Sequence, residues 1–153
     1  MAFQTESDWR SDASIAYALM RLTFGVNLLM RGLMRIYTGT VGFEQGMLKQ
    51  FENTPMPAAI IQPFALALPW VESAIGLLLI LGLQTRIALI AGSLMMTALT
   101  FGTMVRQDFQ IAFLQLGYVL IFFVLLALRP WNRLSIDARL EPPLRAEVGE
   151  RTR

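Results

Sequence analysis

The run from Ile15 to Tyr37, IAYALMRLTFGVNLLMRGLMRIY, is apolar and long enough to cross a bilayer, yet Arg21, Asn27, Arg31 and Arg35 are set into it. At 1.5 Å rise per residue, about 20 residues cross the roughly 30 Å hydrocarbon core. A spanning segment here puts Arg21 and Arg31 at membrane depth, where a guanidinium costs at least about 2.5–3.5 kcal/mol. The rest of the chain must therefore give these cations an acid, water or a route to the interface.

Composition points the same way. With 55% hydrophobic and 16% charged residues in 153, the chain is more apolar than a soluble domain, whose charged fraction is about 25%. It reads as one polytopic membrane domain. Cys and His are both absent, which excludes disulfides, thiolate chemistry, covalent haem, Cys/His zinc sites and imidazole bases within these residues. The nine Met residues, scattered through apolar stretches, are read as packing rather than metal ligands. Basic residues sit at the ends of apolar runs and in the tail, so they report topology and not a nucleic-acid surface.

Residues 1–13 form a polar N-terminal tail without a signal-peptide pattern, and residues 14–128 a four-helix membrane domain. The expected spans are about 14–37, 58–83, 87–105 and 111–128, with Asp12 or Ser14 capping the first. Between the first two, Phe43, Met47, Leu48 and Phe51 recur at helical spacing with Glu44, Gln45, Lys49 and Glu52 between them. They predict a short amphipathic helix over 42–53, on the membrane surface or lidding the bundle. Pro63 and Pro69 predict an irregular second span, in which Ser73 and Gly76 allow close helix approach. Ser93, Thr97 and Thr100 make a weakly polar stripe on the third span. Residues 129–153 are a polar C-terminal tail, expected to be surface-associated and then disordered.

Four spans place both termini and Arg86 on one side. That side collects Arg10, Arg86, Arg129, Arg133, Arg139 and Arg145, against Arg35, Lys49 and Arg106 on the other. The bias predicts cytoplasmic termini, in a bacterial inner membrane. Counting depth from the cytoplasmic ends puts Arg21 roughly 10 Å in and Glu72 about 15 Å in. The expectation is a structural ion pair between Arg21 and Glu72; a proton-handling or substrate-binding Glu72 is the alternative. Arg35 is expected to snorkel to the outer interface. For Arg31, snorkelling and a ligand-facing role both stand. Asn27, Arg31, Trp70, Gln115 and Tyr118 are candidate lining residues of an outward-opening pocket for an anion or a quinone carbonyl oxygen, since both need hydrogen-bond donors in a dry site. For Gln115 and Tyr118 the plain alternative is interhelical hydrogen bonding.

The order of these features resembles the DoxX family of small four-helix bacterial and archaeal membrane proteins. The resemblance rests on MRLTFGVNLLMRGLMRI, a GF-started amphipathic loop, TPMP, VESAIGLLLILGL, LGLQTRIA and the closing RLSIDARL, over about Ile15 to Leu140. Family members often carry His before the first-helix glycine, where this chain has Arg31 before Gly32. The resemblance implies a membrane subunit of a quinone-linked redox complex, with no covalently bound cofactor, a quinone as the candidate cofactor, and redox centres held by partner membrane or periplasmic subunits. A structural or assembly subunit and a small transporter are the competing expectations.

Overall fold

A computed structural model describes residues 6–140 of the chain. Its elements, in order, are α1 (Glu6–Thr38), α2 (Thr40–Gln50), α3 (Ala58–Leu81), α4 (Thr85–Val105), α5 (Phe109–Ala127), a single 3₁₀ turn (Arg129–Trp131) and the short α6 (Ile136–Leu140). Four helices are long and apolar enough to cross a membrane: Asp8–Thr38, Ala58–Leu81, Thr85–Val105 and Phe109–Ala127. The protein is an all-α, multi-pass membrane bundle with a short helix between its first two spans, as the hydropathy pattern predicts. The tail expected beyond residue 140 lies outside the described residues, as does Arg145 of the charge count.

α1 is longer than its apolar run. It begins at Glu6, and Ser14, expected to cap it, lies inside and donates its hydroxyl to the Arg10 carbonyl at 3.0 Å. No Gly or Pro interrupts residues 6–24, so nothing stops the helix before the membrane. Trp9, near its start, meets Trp131 edge-on with ring centroids 5.1 Å apart. The inward stripe of α1 is Tyr17, Arg21, Phe24 and Leu28, at alternating spacings of four and three, and it continues through Arg31 and Arg35.

α3 answers with Ile61, Ala65, Leu68, Glu72, Ile75 and Leu79, also at spacings of four and three. α1 and α3 make the tightest helix pair, because glycines let the backbones touch. A Cβ on Gly25 would lie 2.9 Å from the Gly76 carbonyl oxygen, and one on Gly32 would collide with Ser73 and the Pro69 carbonyl. Pro63 and Pro69 do not divide α3, which runs unbroken from Ala58 to Leu81. It ends at Gly82, whose φ of 64° supplies the left-handed cap, and Leu83 N–H returns to the Leu78 carbonyl at 3.1 Å.

α4 packs chiefly on α5, with Gly92 against the ring of Phe122. Leu28, Leu79, Leu89, Met96, Phe122 and Leu125 form the fully buried centre. The Ser93, Thr97 and Thr100 hydroxyls donate to the carbonyls four residues back at 2.8–2.9 Å, so the polar stripe is turned onto its own helix. Phe43 and Met47 of α2 pack against the core and Phe51, just past its end, is buried, as the spacing predicts. Glu44, expected among the polar residues between them, is buried instead.

Candidate functional site

Glu72 is the buried acid at the centre of the bundle, with a side chain 0% exposed. The inward stripe of α3 points it at α1, where Arg31 Nη2 lies 3.0 Å from Oε1 and Arg35 Nη1 donates to Oε2. The expected pair with Arg21 does not form. The reason is register. α1 overshoots the end of α3, so that Gly25 packs against Gly76 and Ile80, Gly32 against Pro69 and Ser73, and Arg21 against Gly82. Arg21 is therefore level with the cap of α3, and Glu72 lies about 15 Å farther along that helix. Reckoning both helices from a common membrane surface placed Arg21 too deep. Arg35, expected to snorkel, is held inward as well, with its guanidinium 4.4 Å from the centroid of Phe43 on α2.

Two guanidiniums thus flank one carboxylate. The cluster carries one positive charge more than Glu72 offsets, and both arginine side chains are partly exposed, 27% at Arg35 and 31% at Arg31, which reaches toward α5. There it lies 5.5 Å from the centroid of the Tyr118 ring of α5, whose hydroxyl donates to Asn27 Oδ1 at 3.3 Å. Phe24 backs this group, 5.3 Å from Tyr118 and 5.5 Å from Phe122. Of the residues expected to line a pocket, the fold brings Asn27, Arg31 and Tyr118 together. Gln115 is drawn off by α4, its Oε1 accepting from the Thr103 hydroxyl at 2.9 Å. Trp70 stands apart on the outer face of α3, 59% exposed, because it is one residue past the buried Pro69 and two short of Glu72.

The middle of α1 is built differently. Arg21, 4% exposed, donates from Nη2 to the Leu134 carbonyl at 2.8 Å, which ties it to the segment after α5. That segment folds back across the α3–α4 turn. Asp137 accepts from the backbone N–H groups of Gln84 and Thr85, both at 2.7 Å, and Asp137 N–H donates to the Gly82 carbonyl at 3.0 Å. Asn132 Nδ2 donates to Thr85 Oγ1 at 3.0 Å. Asp137 acts as a cap for α4 delivered from 52 residues away, in place of a cap from Gln84, which holds a left-handed φ of 46°. Partial burial pushes its carboxyl up, but the Thr85 and Gln84 N–H groups and the nearby Arg21 outweigh it and hold it below the usual carboxylate range. Sequence reasoning missed this contact. SIDARL offers only an Asp near a helix start, and nothing local says which helix it caps.

Against known proteins, one family model matches, that of methylamine utilisation protein MauE, over residues 13–112. No curated protein and no solved structure matches. The match overturns the resemblance to DoxX. The motifs behind that resemblance, an Arg-bearing first helix, a Pro-x-Pro entry and a second span with Glu then Gly, are each low in information. The matched region runs from the start of the membrane portion of α1 into the first turn of α5, and so includes Glu72 and both its arginines. A match over that much of the chain places it in the family: the protein belongs to the methylamine utilisation protein MauE family.

Proposed function

We propose that the protein is an accessory membrane subunit of a methylamine-utilisation system, working with partner proteins, and that the Asn27, Arg31 and Tyr118 face accepts a small anion or a carboxylate of a partner. The observation that carries the site is the uneven charge of the ion cluster. One fully buried carboxylate faces two partly exposed guanidiniums, and of these Arg31 is the one that lies over the Tyr118 ring. Excess charge at membrane depth is stabilised by an anion brought to it. Tyr118 and Asn27 flank that position with polar atoms. A quinone carbonyl oxygen is the competing acceptor for the same donors. In this reading the termini and the α3–α4 turn face the cytoplasm of a bacterium and the Arg31 face opens toward the outer side.

The test uses a host that grows on methylamine as sole nitrogen source. Deleting the gene abolishes that growth and leaves growth on ammonium intact; a deletion strain that still grows on methylamine defeats the accessory reading. Complementation with Arg31→Gln fails although the variant accumulates in the membrane at wild-type level. Full complementation by that variant leaves Arg31 a purely structural partner of Glu72. Titrating purified protein with acetate and with a short-chain quinone separates the two acceptors, since only the true one loses binding in Arg31→Gln.

A further inference from the structure

Away from the ion cluster, a cavity of about 240 Å³ lies between α2, α3 and α4. Phe51, Phe64 and Leu99 form its walls, and Met47 and Met56 lend it two adaptable side chains. Ile60 and Phe101 line it while remaining exposed, so it opens sideways between α3 and α4, onto the surface that faces lipid. Its polar lining consists of Thr103 and Arg106. The Thr103 hydroxyl is already engaged with the Thr100 carbonyl and Gln115.

We infer that this cavity holds an acyl chain of a membrane phospholipid, with the phosphate at Arg106. A hydrocarbon chain asks for no hydrogen-bond donor, and the cavity interior offers none. A quinone carbonyl would need one there, and the Thr103 hydroxyl is already engaged. Arg106 stands where a phosphate would be. It immediately follows the last residue of α4, at the end of a span, and Ala98 lies about 12 Å deeper by helical rise. Its guanidinium, bonded to Gln50 and 3.2 Å from Asp108, is steered over the Phe51 ring at the cavity mouth, 5.6 Å from the centroid. A guanidinium carries five N–H donors, and Gln50 and Asp108 each take one from Arg106, which leaves donors for a phosphate. α2 would then act as a lid over a bound lipid tail.

The experiment uses the full chain in lipid nanodiscs containing phosphatidylethanolamine with a photoactivatable diazirine in one acyl chain. Crosslinked peptides are then mapped by mass spectrometry. The expected result is labelling concentrated in residues 47–64 and 98–103, falling at least fivefold in Ala98→Leu, which fills the cavity. Gly102→Ala is the milder companion if that variant does not fold, since its Cβ would meet only the tip of Phe51 at 3.2 Å. Arg106→Gln lowers labelling by the phospholipid but not by a diacylglycerol bearing the same diazirine. Labelling spread evenly over the lipid-facing residues of α5, or unchanged in the filled variants, overturns the proposal. So does a crosslink to a protein chain from a photoreactive residue at position 60 in native membranes.

Discussion

The middle and the C-terminal part of α1 solve the same problem, a guanidinium on an inward helix face, in opposite ways. At Arg21 the chain brings main-chain oxygen to the cation: Leu134 O is its partner, and the segment that delivers it is tied down by Asp137 on the α4 N-terminus. At Arg31 and Arg35 it brings a buried acid from the neighbouring span. The difference follows depth. Arg21 lies beside the end of α3, where loops are available, whereas ten residues farther along only helices are present and their carbonyls are already bonded. Where backbone is free a cation is held by backbone, and where it is not, a second side chain must be buried to meet it.

Breaking the deep site should cost most. Glu72→Gln keeps the shape but leaves Arg31 and Arg35 without a counter-charge. Removing one member of a buried pair typically costs about 3–5 kcal/mol, so thermal unfolding in detergent should fall well below wild type. An unchanged midpoint would mean that the arginines reach the interface without the acid. Arg21→Met, at the shallow site, removes a charged hydrogen bond whose loss is worth about 1.5–3 kcal/mol. It should shorten the lifetime of the folded 129–140 segment against protease, while the α1–α3 pair stays intact; equal destabilisation of both sites would erase the distinction drawn between them.

The smallest effect is expected at Asp137, and its sign with pH sharpens the comparison. Asp137→Asn removes the negative charge at the α4 N-terminus, worth about 0.3–1 kcal/mol. Because the carboxyl is held lower in the folded protein than in the unfolded chain, its contribution is full above the unfolded value of about 3.9 and is lost as pH falls through the folded value. Protease cleavage within residues 129–140 should therefore rise on acidification in the wild type and be raised already at neutral pH in Asp137→Asn. A variant that keeps the wild-type acid dependence would assign the response to another group.

Hydropathy and spacing alone determined much of the fold. Four apolar runs, the amphipathic period of Phe43, Met47 and Phe51 and the small residues Ser73 and Gly76 follow from single-helix periodicity, which the chain writes locally. Even the inward faces are legible: Tyr17, Arg21, Phe24, Leu28, Arg31 and Arg35 repeat at four and three, as do Ala65, Leu68, Glu72, Ile75 and Leu79. What only the tertiary structure decided is which positions on those faces meet. The slide of α1 along α3 is set where Gly25 and Gly32 let two backbones touch, and a helix carries no mark of its partner's register. That slide gave Glu72 to Arg31 and Arg35 and left Arg21 to the returning segment. The cap on α4 is of the same kind, since an aspartate can bond any open helix end within reach, and only the folded path of residues 129–140 brings Asp137 to Gln84 and Thr85.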